Sequence, residues 1–425
     1  MIITIIDKKR RRKRLTREDL AYVVSGFLDG TIPDYQMASL LMAITIHGMT
    51  TEEACDLTDV MLHSGERIDL SAIPGIKVDK HSTGGIGDKT TIILAPLVAS
   101  LGIPVAKMSG RGLGLTGGTI DKLEAIPGFR VSLSETEFVN QVTEIGLAIT
   151  GGTKNLVPAD KAIYALRDVT GTVASIPLIA SSIMSKKLAS GADKIVIDLK
   201  VGKGALMPNR IEAEKLAYLM TRIGKQYGKD TVCILTDMDE PLGCKIGNAL
   251  EIQECMEVLQ GGGPKDIKDL VLYLAMYMIH MGTGMSYEEA RIAAIEQLSN
   301  GEAYAKFEEM VACQGGDLSR LTVAPKVFSI KSTKTGFITA IDAYKIGAVV
   351  HKIGAGRSNK EDQIDYGVGV ELTKKTGEFV TEGEELVKVY LHEHDLAMQE
   401  ILDCFTITEH APTLHPLIYG VIESD

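Results

Sequence analysis

No Cys-x-x-Cys pair occurs in this sequence. Its six cysteines (Cys55, Cys233, Cys244, Cys255, Cys313 and Cys404) are scattered, which argues against a zinc knuckle or a disulfide framework and for the reduced thiols of a cytoplasmic protein. No uninterrupted apolar run reaches membrane length. Met1–Ile6 is apolar but far too short for a span or a signal peptide, and its charges follow rather than precede it. A basic excess is also missing: the formal net charge is −11, which argues against a nucleic-acid partner. An anionic small substrate fits only where positive charge is concentrated locally. The one basic run, Lys8–Arg14 (KKRRRKR), has the composition of a nuclear signal or a polyanion-binding arm; alone in an acidic chain it is expected to be a solvated N-terminal segment. Internal repeats and low-complexity tracts are absent. His392, Glu393 and His394 do not make a metal pair, because residues two apart share no helix face, and a polar strand end or turn is expected there.

With 425 residues, 45% hydrophobic and 24% charged, the chain has material for two or three domains. Residues 16–65 carry three helical patterns. Thr16 precedes the first and Gly30 ends it, Pro33-Asp34 opens the second, and Thr50-Thr51-Glu52-Glu53 reads as a capping box for the third. After Pro74-Gly75 strands and helices alternate, with strands expected at 76–78, 103–108, 147–150, 194–201 and 231–236 and helices at 89–101, 134–145 and 210–227. Such alternation predicts a largely parallel sheet wrapped by helices. Residues 158–190 are helical with no strand between them, so they are expected to pack back on the N-terminal helices. Residues 246–312 are almost all helical in pattern, and short β-rich runs follow from about 325. The expected class is α/β. A small discontinuous all-helical domain (1–66 and 158–190) adjoins a larger mixed α/β domain with a largely parallel central sheet (74–150 and 192–325). An α+β C-terminal part occupies 326–425.

Two glycine-rich loops lie between Val78 and Asp121, each directly after an expected strand. That stretch holds nine of the chain's 43 glycines. The first loop is Lys80-His81-Ser82-Thr83-Gly84-Gly85-Ile86-Gly87-Asp88; the second runs from Ser109 to Thr119. Glycines let the backbone lie against a ligand. Amides, hydroxyls (Ser82, Thr83, Thr90, Thr91, Ser109, Thr116, Thr119) and a few cations suit phosphate oxygens. A P-loop is approached at Gly84–Thr90 but fails, because Asp88 separates Gly87 from Lys89. A dinucleotide fingerprint occurs at Gly112, Gly114 and Gly117, yet only Thr119–Ile126 can follow it as a helix before Pro127-Gly128. Two tight turns are the plainer alternative. His81, inside the first loop beside Lys80, is a candidate acid or base, since an adjacent anion favours its protonated form.

A second cluster is Arg167, Ser182 and Lys186. Ser182 and Lys186 are four apart and share one face of a helix. They form either a solvated face or a donor set for a neutral, acceptor-rich heterocycle facing the loops across a cleft.

The motifs KHSTGGIGD (80–88), SGRGLGLTGGTIDKLE (109–124) and ALRD…IPLIASSIMSKK (165–187) closely resemble the thymidine/pyrimidine-nucleoside phosphorylase family, over nearly the whole chain. More distantly the fold resembles anthranilate phosphoribosyltransferase, which shares a glycine-rich phosphate loop but lacks the KHSTGG block. The resemblance implies reversible phosphorolysis of pyrimidine (deoxy)nucleosides to free base and α-D-(deoxy)ribose 1-phosphate in nucleoside salvage, by a cytoplasmic homodimer. It implies inorganic phosphate as the co-substrate, and neither nucleic acid nor membrane is expected as a partner. It implies phosphate ligands at Lys80, Ser82, Thr91, Ser109 and Thr119, with His81, Lys107 and Met108 lining that pocket. It implies base ligands at Arg167, Ser182 and Lys186, and His81 at the O2 side of the base.

Bacterial members also resemble one another in a potassium ion bound near the hinge. The matching positions are Gly87, Lys89, Leu242, Lys245 and Glu254, mostly through backbone carbonyls, with Glu254 supplying a carboxylate. Three departures stand out. Lys89 replaces a threonine-like residue, and its ammonium could displace the ion. Leu115 stands where the family has histidine, and Gly152 where it commonly has glutamine. The rival readings are a thymidine-specific phosphorylase, a phosphoribosyltransferase, and a non-catalytic nucleoside- or phosphate-binding protein.

Overall fold

Side-chain caps set the entry to the N-terminal helices. Thr16 and Thr50 each accept a backbone N–H three residues on, while Asp19 and Glu53 reach back to the cap, satisfying donors that the first helical turn would leave bare. The computed structural model describes residues 1–112, 117–153, 155–357, 362–392 and 398–423. Four helices open the chain: α1 (Ile2–Arg10), α2 (Arg17–Leu28), α3 (Asp34–His47) and α4 (Thr51–Leu62).

The basic run differs from expectation. Lys8, Lys9 and Arg10 belong to α1. Ile5 is buried, and Lys9, four residues on, shares its inward face; Lys9 Nζ lies 2.8 Å from Glu53 Oε1 with both side chains inaccessible. Lys8 pairs with Asp19 at 2.8 Å. Only part of the run is solvated, because the apolar positions Ile2 and Ile5 dock α1 onto the other helices.

The chain continues through β1 (Val78–Ser82), α5 (Thr90–Ala99), β2 (Val105–Ser109), α6 (Thr119–Glu124), α7 (Glu135–Ile145) and β3 (Leu147–Gly151). Next come α8 (Pro158–Asp168), α9 (Ile176–Ala189), β4 (Lys194–Val201), α10 (Arg210–Gln226), β5 (Asp230–Asp237) and β6 (Lys245–Ile246). Helices α8 and α9 pack on α2–α4 in one apolar core. Strands β1, β4 and β5 are parallel neighbours, and β2 pairs in parallel with β3.

Alternation along β4 divides the molecule. Ile195, Ile197 and Leu199 face the helical unit and α10, while Val196 lies in the opposite core, where α12 (Lys265–Thr283) packs on β4. On that second side lie α11 (Asn248–Leu259), α12 (Lys265–Thr283), α13 (Tyr287–Ser299) and α14 (Glu302–Cys313). The tail holds β7 (Lys326–Lys331), β8 (Gly336–Ile341), α15 (Ala343–Val350), β9 (Gly369–Leu372), β10 (Phe379–Val380), β11 (Glu385–Leu391), α16 (Met398–Leu402) and β12 (Phe405–Thr408). It has its own apolar core. One segment of the expected tail lies elsewhere: β13 (Ile418–Glu423) pairs antiparallel with β5, at the edge of the central sheet. Apolar Ile418, Val421 and Ile422 find a half-buried place there. No helix is long and apolar enough to cross a membrane among the described residues.

Candidate active site

The first glycine loop leaves the carboxyl end of β1 and returns as α5, the place where parallel sheets hold ligands. Register seats it: Lys80, His81 and Ser82 lie opposite Val196, Ile197 and Asp198 of β4. Gly84 and Gly87 have φ of +88° and +73°, values that side chains with a Cβ rarely adopt. Thr83 anchors the turn, its N–H donating to Asp198 O at 3.1 Å and its hydroxyl accepting from Lys200 N at 2.9 Å. Asp88 closes the loop by accepting from the hydroxyls of Ser82 and Thr90. Its carboxyl is held far below the usual range; burial opposes this, and the ammoniums of Lys80, Lys200 and Lys122 outweigh it.

Lys80 is buried. Its Nζ donates to Thr90 Oγ1 and, at 3.5 Å, to Thr91 Oγ1, and lies 3.2 Å from Asp198 Oδ2. Lys107 on β2 donates to Lys80 O at 2.5 Å and to Asp79 Oδ1 at 3.2 Å, so β2 brings Lys107, Met108 and Ser109 beside the loop. Burial pushes the Lys107 ammonium down to about 7, with help from Lys187 and Lys80 and against Asp79. In the second loop Ile120 N donates to Gly110 O at 3.3 Å, which brings Thr119 beside Ser109. Asp121 accepts from Gly112 N and Gly118 N at 2.5 and 2.9 Å. Leu115 lies outside the described residues, as do Glu393 and His394 of the polar run at 392–394.

His81, next to Lys80 on β1, is half-buried. Burial, then the ammoniums of Lys187, Lys107, Lys186 and Lys80, hold its imidazole well below the ordinary range, so it is neutral near pH 7. Each of these lysines is paired with a carboxylate, Lys80 with Asp198, Lys107 and Lys187 with Asp79 and Lys186 with Asp160, so an anionic substrate competes with carboxylates for them.

The second cluster comes within electrostatic reach of the first through α9. Lys187 donates to Asp79 Oδ2 at 2.5 Å and to Met108 O at 3.4 Å. Lys186, next to it, is partly exposed, pairs with Asp160 at 2.7 Å and donates to Ser182 Oγ at 3.3 Å. Arg167 is turned differently. It is 1% exposed, and its guanidinium donates to the carbonyls of Thr172, Leu178 and Val173 at 3.3, 3.2 and 2.7 Å. In this state it braces the turn before α9 rather than facing an open cleft.

The positions expected around potassium do converge, but on the ammonium of Lys89. Its Nζ donates to Leu242 O at 3.1 Å, to Lys245 O at 2.9 Å and to the Glu254 carboxylate. Gly87 O accepts the Lys89 backbone N–H instead, at 2.9 Å. An ammonium and a potassium ion cannot occupy one set of acceptors, so these residues do not fit the ion while Lys89 stands there. No group of three or more His, Cys, Asp or Glu suited to a metal occurs among the described residues.

Sequence reasoning missed Asp79, Lys187, Asp198 and Lys200. Asp198 accepts from Thr236 Oγ1 at 2.7 Å and lies 2.9 Å from the fully buried Lys200 Nζ. A signal existed: Asp198 and Lys200 are charges in an otherwise apolar central strand, IVIDLKV, at its carboxyl half.

Comparison with known proteins follows this geometry. Residues 3–65 match the glycosyl transferase family helical bundle domain, residues 75–304 the glycosyl transferase family a/b domain, and residues 337–408 the pyrimidine nucleoside phosphorylase C-terminal domain. The chain is 51% identical to a pyrimidine-nucleoside phosphorylase of Staphylococcus epidermidis and 50% identical to one of Staphylococcus aureus. Each match covers 98% of this chain and 99% of the relative. Among solved structures it is similar to anthranilate phosphoribosyltransferase from Thermus thermophilus, with TM-score 0.60 and 18% identity over 73% of this chain and 99% of that one; this likeness concerns the fold.

Proposed function

This chain belongs to the pyrimidine-nucleoside phosphorylase family, and from that premise we propose that it catalyses reversible phosphorolysis of pyrimidine nucleosides and 2′-deoxynucleosides. The observation that carries the reading is the joining of the two glycine loops to a helix of the second unit: Lys107 of β2 donates to Lys80 O and Asp79 beside the first loop, and Lys187 of α9 donates to the same Asp79 and to Met108 O. Phosphate sits with Lys80, Ser82, Thr91, Ser109 and Thr119, with Lys107 and Met108 behind it. The hydroxyl of Ser82 leaves Asp88 to meet it. The pyrimidine lies toward Lys186 and Ser182: the ammonium takes a carbonyl oxygen and the hydroxyl takes the N3 edge. Arg167 joins them when the 172–178 turn releases its guanidinium.

A phosphate oxygen attacks C1′ from the face opposite the base. The C1′–N1 bond breaks, its electron pair stays on the base, and configuration inverts. Negative charge grows on the base as positive charge grows on the sugar. Lys186, Arg167 and His81 are the groups that meet the growing negative charge, an interaction stronger in the transition state than in the ground state. His81 is neutral without ligand; the phosphate dianion raises its proton affinity and prepares it to protonate O2 of the departing base. The donor sets lie on different units, so closure brings phosphate to C1′. X-ray scattering that shows no compaction on adding base and phosphate together would count against closure. Homodimeric assembly and a cytoplasmic location rest on the family resemblance, and light scattering tests the first.

The assay offers uridine, thymidine and 2′-deoxyuridine with and without phosphate. Base release from all three, only with phosphate, supports the proposal. Turnover of thymidine alone selects a thymidine-specific enzyme. Release that requires no phosphate, or none at all, overturns it.

A further inference from the structure

Lys89 begins as an anomaly. A lysine immediately before α5 is buried to 1% exposure, and burying an ammonium costs several kcal/mol unless every proton finds an acceptor. Here each does. The three hydrogens of Nζ meet three oxygens, Leu242 O, Lys245 O and the Glu254 carboxylate. The other carboxylate oxygen, Glu254 Oε1, accepts from Cys244 N and Lys245 N at 2.9 and 3.0 Å, so the cage is fixed from behind. Burial lowers the Lys89 pKa, and the carboxylates of Glu254 and Glu251 more than offset it, so the group stays charged.

The cage has no room to spare. A Cβ on Gly243 would come 2.2 Å from Glu254 Oε2 and 3.0 Å from Lys89 Nζ; one on Gly87 would come 2.4 Å from Leu242 O. The carboxylate of the cage, Glu254, belongs to α11, and its two carbonyls belong to a strap, 241–245, gripped from two sides. Lys89 holds it to the first glycine loop. From the tail, Lys375 donates to Pro241 O and Gly243 O at 2.6 and 3.1 Å, and β6 pairs with β9. The remaining charges that face this region are engaged elsewhere: Lys245 Nζ with Glu257 at 2.5 Å, Lys122 with Glu251 at 3.0 Å, and Asp266 with Lys375 at 3.1 Å.

We propose that the Lys89 ammonium is a covalently tethered monovalent cation. It takes the place of a free potassium ion between the phosphate loop and the 241–245 strap, and it makes this chain independent of potassium. A free ion stabilises only in proportion to its concentration over its dissociation constant. A tethered one is present at every ionic composition.

The test reads the thermal unfolding midpoint, and binding of thallium(I) as a potassium mimic by 205Tl NMR, in KCl, NaCl and choline chloride at equal ionic strength. Neither depends on turnover, so the result stands apart from the proposed reaction. The native chain is expected to unfold at one temperature in all three salts and to show no potassium-displaceable thallium site. Lys89→Thr leaves the two carbonyls and Glu254 without a cation. It is expected to unfold about 5–10 °C lower in choline chloride and to recover saturably with KCl, with one thallium bound per chain. Lys89→Met, which fills the space without charge, is expected to be destabilised in every salt and not rescued. A saturable, potassium-specific rise in the midpoint of the native chain overturns the proposal. So does a Lys89→Thr variant as stable in choline chloride as the native chain. Should neither variant fold, the comparison of salts on the native chain decides alone.

Discussion

Lys187 Nζ lies 2.5 Å from Asp79 Oδ2, which ties α9 of the helical unit to β1 two residues before His81. Lys107 holds the other oxygen at 3.2 Å, and burial, which pushes the Asp79 pKa upward, is outweighed by these two ammoniums. Asp79→Asn leaves the buried Lys187 ammonium facing a neutral amide and removes the carboxylate that holds the proton on Lys107, already pushed down to about 7. It is expected to cost about 3–5 kcal/mol in urea unfolding and to lower turnover, because α9 carries Ser182 and Lys186, the proposed base-side donors. An Asp79→Asn protein with native stability would show that the pair is not coupled to the fold.

His81 gives a signed pH response. Its folded pKa is well below the ordinary 6.5, from burial first and the four lysines second. Below pH 6.5 the unfolded chain takes up a proton that native His81 refuses, so stability falls as pH drops through that window. Replacement by Asn flattens the slope by up to one proton. Added phosphate raises the His81 pKa in histidine-selective 15N NMR, and Lys187→Met raises it without phosphate. A titration unmoved by phosphate would separate His81 from the anion site.

Lys186 and Arg167 separate chemistry from architecture. Lys186 is partly exposed, and Lys186→Ala is expected to lower kcat/KM for the nucleoside by about 10²-fold or more with a smaller change in unfolding midpoint than Arg167→Ala gives. Arg167→Ala removes three donors from the carbonyls of Thr172, Val173 and Leu178, so it lowers both. A Lys186→Ala enzyme of full activity would refute the base-side placement.

Glu53 is the hub of the N-terminal helices. Its Oε1 accepts from Lys9 Nζ and Leu15 N, each at 2.8 Å, and its Oε2 from Thr50 N at 2.8 Å. Glu53→Gln keeps the shape but strands the buried Lys9 ammonium, at a cost of about 3–5 kcal/mol measured by denaturant unfolding. Arg10→Ala, on the exposed face beside Asp7, is expected to leave the transition unchanged within error.

What could be read in the sequence was local in origin. Thr50 with Glu53 and Ser134 with Glu137 mark helix starts because both partners lie within one turn, and the period-two run 194–201 marks a buried strand. The glycines of the first loop announce positive φ, and the hydroxyls beside them announce an anion. What escaped notice depends on pairs far apart in the chain. Lys9 meets Glu53 across 44 residues, and Lys187 meets Asp79 across 108. Lys9 reads as solvated until Ile2 and Ile5 are known to dock. The orientation of Arg167 depends on a turn whose carbonyls no spacing rule reveals.

The edge strand β13 has a consequence for synthesis. Tyr419 donates to Asp237 at 2.5 Å across 182 residues, and β13 completes the hydrogen bonding of β5. Until that segment leaves the ribosome, β5 presents an open row of amides and carbonyls, a template on which two nascent chains can join. The central sheet therefore closes late and through distant contacts, which slows folding. Truncation before Ile418 is expected to make the chain aggregate with the pocket residues all present.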